Sequence, residues 1–150
     1  VNTPNVVTLD TSAYVDPADR QGLMIESVDF IFFNSLTNLP LYNTTGSDKQ
    51  IAVQLLSGSY TALESYDNED LIASAGFYSD AGAGVYAVSD QFPDLLGTPD
   101  GRIIVDDEAT IIGQTNAAFA AARCSLLIKA KVVTLTNKDY MALALQTVAN

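Results

Sequence analysis

Four adjacent residues, Asp67, Asn68, Glu69 and Asp70, form the segment whose side chains are best suited to binding an ion. Calcium takes roughly six to eight oxygen ligands and accepts them from flexible loops, so these four residues are a candidate calcium site. The segment lacks the alternating acidic residues and the central glycine of an EF-hand loop. A solvated acidic surface is therefore the favoured interpretation, and calcium binding is the alternative.

A second acidic run, Asp106 to Glu108, is a weaker candidate because an extended chain would direct Asp107 away from its neighbours. The chain contains no histidine, which excludes a Ser-His-Asp triad, a Cys-His pair and a histidine-ligated metal. Cys124 is the only cysteine, and we expect it to be a small buried apolar residue. A glycosidase would need paired carboxylates, but the acidic residues lie mostly in predicted loops. The sequence predicts no catalytic residue, no cofactor and no enzymatic activity.

The charged residues are unevenly distributed along the chain, which has 18 acidic residues, 7 basic residues and a net charge of −11. Residues 64–108 contain eleven of the acidic residues and only one basic residue. Residues 109–150 contain one acidic residue and four basic residues, which are Arg123, Lys129, Lys131 and Lys138. These four are too sparse to form the phosphate-neutralising cluster that nucleic-acid binding requires. We expect no direct contact with nucleic acid.

The length and composition of the chain fit one folded domain that spans residues 1–150. Hydrophobic residues make up 48% of the sequence and charged residues 17%, proportions that exclude a disordered chain. The longest apolar runs, residues 30–33 and 117–122, are far shorter than the run of about 20 residues that a membrane-spanning helix needs. We therefore expect a single domain without a transmembrane segment.

The chain begins with residues 1–19, which we expect to form an extended N-terminal arm with a short pairing segment at residues 6–10. The first strong strand covers residues 22–36. One of its faces carries Val28, Phe30 and Phe32. The other face carries Ile25, Ile31 and Phe33. Because apolar residues occur on both faces near its end, we expect this strand to be covered on both sides there.

Further strands are predicted by short apolar runs between turns. Residues 50–65 predict two strands joined by a Ser-Gly-Ser turn, which is a hairpin. Residues 71–79 predict a strand that pairs with the next one, residues 85–89. Residues 102–114 predict a strand that is broken at the acidic run 106–108.

The most regular stretch of the chain is residues 123–134, in which apolar and polar residues alternate except at Leu127 and Val133. This pattern predicts a half-buried antiparallel strand. Its apolar face would carry Cys124, Leu126, Ile128, Ala130 and Val132. After the strand, the spacing of Thr136 and Asp139 indicates a helix start, and we expect one short helix over residues 136–148.

Short strands, frequent turns and a single short C-terminal helix predict an all-β protein. An antiparallel β-sandwich is the expected architecture, and a barrel is the alternative. Long connections fit Greek-key crossings between two sheets, so we expect a jelly-roll-like topology.

Two segments resemble the first and last elements of single-jelly-roll capsid or coat subunits from bacterial and archaeal viruses. They are DRQGLMIESVDFIFF (residues 19–33) and CSLLIKAKVVTLTNKDYMALAL (residues 124–145). The resemblance implies a non-enzymatic protein of the virion that assembles with copies of itself and with other virion proteins. A high apolar content agrees with this, because it leaves hydrophobic surface for contacts between subunits. The resemblance carries over no site residue.

Two other functions fit the sequence. A phage tail-tube subunit would have a similar size, and an acidic lumen would repel DNA and let it slide. The tube differs from a capsid in its symmetry, because it stacks open rings. A secreted carbohydrate-binding or adhesin module is the second alternative, disfavoured by the absence of tryptophan but compatible with seven tyrosines.

Overall fold

A computed structural model describes residues 3–41, 47–80, 86–91, 102–116 and 121–148, which form eight strands and one helix. The strands are β1 (Asn5–Asp10), β2 (Gln21–Asn34), β3 (Lys49–Ser57), β4 (Leu71–Ser79), β5 (Tyr86–Gln91), β6 (Arg102–Ile104), β7 (Glu108–Thr115) and β8 (Ala122–Thr134). The helix is α1 (Asn137–Val148). Residues 6–10 of the expected arm therefore belong to a strand, and the helix lies where the sequence predicts it.

The strands form two antiparallel sheets, one of five strands in the order β1-β7-β3-β4-β5 and one of three in the order β6-β2-β8. The predicted all-β sandwich with one short C-terminal helix is confirmed. Along the described strands the chain changes sheet five times, between β1 and β2, β2 and β3, β5 and β6, β6 and β7, and β7 and β8. The strands β3, β4 and β5 instead form a meander within one sheet. The jelly-roll topology itself stays a prediction.

The core lies between the inner faces of the two sheets. Its largest cluster includes Ile25 and Val28 from β2, Leu55 from β3, Ile72 from β4 and Ile104 from β6. Full burial of a side chain of this size contributes about 1.5–3 kcal/mol, so the facing strands are held mainly by these contacts. A second cluster continues the same layer and contains Leu41, Ile51, Val53 and Phe77.

The two faces of β2 differ from the predicted alternation at one point. The register with β8 shifts between Ile25 and Ser27, so a β-bulge inserts one extra residue there. The bulge turns Ile25 to the core side, where it is buried together with Val28. The prediction that Ile25 faces away from Val28 is therefore wrong. The predicted cover on both sides near the end of β2 is wrong as well, because Ile31 remains 52% exposed.

The chain after β3 does not form the second strand of a hairpin, so that prediction is wrong. Residues 58–70 instead fold back over the outer face of the five-stranded sheet. There Tyr60 and Leu63 pack on a buried cluster of Leu56, Leu71 and Ile112. The side chain of Gln54 fixes the connection by accepting a hydrogen bond from the Glu64 amide and donating one to the Glu64 carbonyl, both 2.8 Å long.

The break predicted at residues 106–108 is confirmed, since β6 and β7 flank it and belong to different sheets. The predicted alternation of β8 holds for Cys124, Leu126 and Ile128, which pack against the core. Ala130 and Val132 are exposed, so the apolar face of β8 leaves the core towards the end of the strand.

The helix α1 begins with the predicted cap. The Asp139 amide donates to Oγ1 of Thr136 over 3.1 Å, and the Thr136 hydroxyl donates to the Asp139 carboxylate over 2.7 Å. These bonds satisfy a backbone donor that has no partner within the helix. Tyr140 is the buried residue of the first turn. Within the described part of the chain, no helix has the length and apolar composition to cross a membrane.

Candidate functional site

The outer face of the three-stranded sheet, which we call the β8 face, exposes large apolar side chains to solvent. It is formed by the outward-facing residues of β2 and β8, which lie opposite one another in register, as Ile31 does to Ser125 and Asp29 to Leu127. Ile31 is 52% exposed and Leu127 is 62% exposed. The adjoining turn after β2 adds Leu36 and Leu39, which are also exposed. These exposed apolar side chains make the β8 face a candidate contact surface for another molecule.

Basic residues accompany the apolar ones on the β8 face. Glu26 pairs with two lysines at once, with its carboxylate oxygens 3.1 Å from Nζ of Lys129 and 2.9 Å from Nζ of Lys131. Hydrogen bonds from Lys131 and Lys129 hold the pKa of Glu26 below its usual range. With Arg123 also outward-facing and Asp29 as the second acid, the face carries three basic and two acidic side chains. The face therefore has a net charge of +1 in a chain whose net charge is −11.

The free edge of β8 borders the same face. β8 has 13 residues and, among the strands that the structure describes, is bonded to β2 on one side only, since it ends the order β6-β2-β8. An edge strand presents unpaired backbone donors and acceptors, which form a template for a strand of another chain. The β-bulge in the pairing of the two strands lies on β2 and not on β8. β8 also contains neither proline nor glycine. This edge is therefore long and regular enough to accept a further strand.

The acidic segment 67–70 does not gather its side chains around a common point. The Asp70 carboxylate accepts a hydrogen bond from the Tyr60 hydroxyl, and Oδ1 of Asn68 accepts one from the Asp70 amide. Asp67 accepts a bond from the hydroxyl of Ser65, which lowers the pKa of Asp67. Across the described ranges, no three acidic, cysteine or histidine side chains are placed to hold a metal ion. The oxygens of the segment serve to fold their own loop.

The second acidic run contributes to a buried hydrogen-bonded cluster at the crossing from β6 to β7. The Ser57 hydroxyl donates to the Asp106 carboxylate. The Thr11 hydroxyl donates to the Asp106 carbonyl over 2.7 Å, and the Thr110 hydroxyl donates to the Gly58 carbonyl over 2.6 Å. Ser57 and Thr110 are buried, so no substrate reaches them from solvent. The cluster ties together the β1–β2 connection, the end of β3 and the β6–β7 connection.

Sequence reasoning did not find this cluster. Ser57 and Asp106 are 49 residues apart, and Thr11 and Asp106 are 95 apart. No local pattern announces such a pairing, because hydroxyl groups next to turns are ordinary. The sequence places Asp106 in a predicted strand break. A strand break predicts a turn, but it does not predict which residues form hydrogen bonds with Asp106.

We predict that Asp106→Asn stabilises the protein at neutral pH. Burial raises the pKa of Asp106 above its usual value of 3.8, the neighbouring carboxylates of Asp70, Asp107 and Glu108 add to the rise, and the Ser57 hydroxyl lowers it. A raised pKa means that the folded state binds the proton more tightly than the unfolded chain. The carboxyl therefore favours folding below its usual pKa, and that contribution is lost as the pH rises through the raised pKa. Asparagine keeps the acceptor for Ser57 and never ionises.

Thermal unfolding of wild type and Asp106→Asn across the acidic and neutral range checks this prediction. The melting temperature of the variant should exceed that of wild type at about pH 7, and the difference should shrink as the pH falls towards the usual pKa. Asp19→Asn removes an exposed carboxylate that does not act on Asp106 and serves as the control. A difference that stays constant with pH would mean that Asp106 does not titrate differently in the folded and unfolded states.

The α1 helix carries a smaller exposed apolar patch. Met141 and Leu145 lie four residues apart, which places them on one side of the helix, and both are exposed. The β8 face thus differs from this patch in combining apolar side chains, basic charge and a free strand edge.

Comparisons of the chain with models of protein families, with curated protein sequences and with solved structures find no match.

Proposed function

We propose that this chain is a structural subunit of a virion, a capsid or capsid-associated protein that assembles with copies of itself through the β8 face. The observation that carries the proposal is the half-exposed pair Ile31 and Leu127 beside the free edge of β8. Burial of apolar surface is the main favourable term in most protein association. The assignment to a virion rests on the resemblance of residues 19–33 and 124–145 to viral coat subunits.

The charge distribution supports a head-to-tail contact between subunits. The β8 face has a net charge of +1, from three basic and two acidic side chains, whereas Asp10 and Asp107 are exposed next to each other where β1 ends and β7 begins. Opposite charges on separate surfaces of one molecule favour contacts between unlike patches of two copies. Such heterologous contacts build rings and larger assemblies, as a shell requires. We therefore propose that the β8 face of one copy meets the acidic surface around Asp10 and Asp107 of the next.

The chemistry of the chain agrees with a structural role. A protein that acts by packing needs neither a nucleophile nor a cofactor, and the sequence contains no histidine. In the hydroxyl-carboxylate pair at the sheet crossing, the hydroxyl-bearing residue Ser57 is buried. Cys124 has the environment expected of an apolar residue, because burial raises the pKa of its thiol to about 11. At neutral pH this thiol is therefore protonated and a weak nucleophile.

Self-assembly is tested by sedimentation velocity at increasing protein concentration, followed by negative-stain electron microscopy. Wild type is expected to form particles larger than a monomer, and Leu127→Glu is expected to remain monomeric because it adds a carboxylate to the apolar contact. Leu127 is exposed, so its replacement should alter the stability of the monomer by less than about 0.5 kcal/mol. Met141→Glu makes the same change on the exposed helix patch and should assemble like wild type.

The outcomes separate the possible functions. Closed shells or flat lattices support a capsid role, whereas stacked hollow rings would identify a tail tube instead. A wild-type protein that remains monomeric at every concentration would contradict self-assembly. If Met141→Glu abolished assembly and Leu127→Glu left it intact, the contact between subunits would lie on α1 and not on the β8 face. Added salt should weaken the assembly, because it screens charges at the rim of the contact.

A further inference from the structure

A trough lies on the outer face of the five-stranded sheet, on the side opposite the core. Its floor is formed by outward-facing residues of three neighbouring strands. In register, Ala52 of β3 lies between Gly76 of β4 and Gln114 of β7. One step along the strands, Gln50 of β3 lies opposite Tyr78 of β4. The trough has a volume of about 440 Å³, within the range of sites that hold small ligands.

The trough exists because the connection 58–70 covers only part of this sheet face. That connection packs over Leu56 and Ile112 and is bonded to Gln54, so these positions are shielded from solvent. The part of the sheet that the connection covers stops at Leu63 and Tyr66, and these two residues form one wall of the trough. Beyond this wall the floor is low, since Ala52 has a short side chain and Gly76 has none. Two cross-strand positions filled by small residues thus create a depression between larger ones.

The lining combines aromatic rings with side-chain amides. Tyr66 is 62% exposed and presents its ring to solvent, and Tyr78 stands at the other side of the floor. Burial, followed by the nearby carboxylates of Asp48 and Asp80, raises the pKa of Tyr78, so its hydroxyl stays protonated at neutral pH. Gln50 and Gln114 add amide groups, each able to donate and to accept hydrogen bonds. The lining therefore offers flat apolar surface and polar groups of both kinds.

Of the eleven described residues that line the trough, none is charged, although the chain has a net charge of −11. A long-range negative potential disfavours anionic ligands, and the lining offers no carboxylate to bind a cation. A neutral ligand with apolar ring faces and many hydroxyl groups matches this environment best. Tyrosine suits such a ligand because it combines an apolar ring with a polar end.

We propose that this trough is a binding site for a neutral oligosaccharide, in which Tyr66 stacks on a sugar ring and Gln50 and Gln114 bond its hydroxyl groups. The site goes beyond the proposed structural function, since the β8 face belongs to the other sheet and leaves the trough open. A subunit that assembles through the β8 face would display one copy of the site for each subunit. Multiple copies raise the apparent affinity for a polymeric glycan well above that of one site.

Binding is tested with a panel of neutral oligosaccharides, namely the linear hexamers of glucose, mannose, galactose, xylose and N-acetylglucosamine. Isothermal titration at millimolar ligand concentration measures the affinity for the full chain. At least one member is expected to bind, and Tyr66→Ala should weaken it at least about tenfold. Ala52→Leu, which raises the floor of the trough, should weaken it similarly. Tyr14→Ala removes an exposed tyrosine elsewhere and should leave the affinity unchanged.

Three results would overturn this proposal. They are the absence of binding to the whole panel, binding that both trough variants leave unchanged, and preferential binding of an anionic hexamer of galacturonic acid. Circular dichroism of each variant shows whether it is folded, so that a loss of binding is not mistaken for unfolding. The Leu127→Glu variant separates the two proposals, because it should lose assembly and still bind the oligosaccharide.

Discussion

Replacement of Leu56 by alanine is expected to lower the free energy of unfolding by about 2–5 kcal/mol, the usual loss when a large buried side chain is cut back to a methyl group. Leu56 is 0% exposed and packs with Leu71 and Ile112 on the outer face of the five-stranded sheet. It is buried there only because residues 58–70 fold back over the sheet. The decrease in the free energy of unfolding therefore shows whether residues 58–70 cover Leu56.

Chemical denaturation of the two proteins measures this difference directly. Leu36→Ala removes the same number of atoms from a side chain that is 83% exposed, and it should change the free energy of unfolding by less than about 0.5 kcal/mol. If residues 58–65 instead formed a hairpin strand, the outer face would be open and Leu56→Ala would behave like Leu36→Ala. Equal and small effects of the two changes would thus contradict the observed cover.

The second large effect is expected at Gly22, where β6 approaches β2 closely. A Cβ atom at this position would lie 3.0 Å from Cγ2 of Ile103 and 3.1 Å from the carbonyl oxygen of Ile104. The second contact involves backbone, which cannot move aside without disturbing the pairing of β2 and β6. We expect Gly22→Ala to destabilise the protein by about 1–3 kcal/mol, as overpacking generally does.

Gly113 provides the matched control for this change. A Cβ atom there would meet only Cγ2 of Val53, at 3.8 Å, which is an ordinary contact. Gly113→Ala should therefore be neutral or stabilise the protein by about 0.4–1 kcal/mol, because alanine restricts the unfolded chain. Thermal melts of both variants give the comparison. A stable Gly22→Ala protein would show that β6 can move away from β2 at little cost.

The strands could be predicted where one face alone is buried. In β8 partly buried and exposed residues alternate strictly up to Ile128. This follows because the sheet contributes a single face to the core and the period of a strand is two residues. The prediction failed at Ile25 because a bulge changes the phase by one residue without leaving a mark in the apolar pattern. It failed again after β3, where Leu55 and Leu56 are both buried. Adjacent buried residues require cover on both faces, and the local sequence does not say what provides the cover.

The surface features were harder to predict than the strands. The composition of the acidic segment 67–70 predicted a possible ion site. Its carboxylate oxygens instead accept hydrogen bonds from Tyr60 and Ser65, which sequence spacing did not suggest. The trough depends on Ala52 and Gly76 lying opposite each other, and only the register of β3 with β4 brings them together. Cross-strand neighbours follow from pairing, so a sheet-face site stays hidden until the pairing is known.

The pairing of β2 with β8 also sets the order in which the molecule can be completed. About one hundred residues separate the two strands, and contacts over such distances along the chain form slowly because a long loop must close first. β8 is the last of the described strands in chain order, and half of the proposed contact surface belongs to it. During synthesis, a nascent chain would thus lack that surface until every other strand had emerged. The proposed assembly through the β8 face would therefore begin only with fully synthesised subunits.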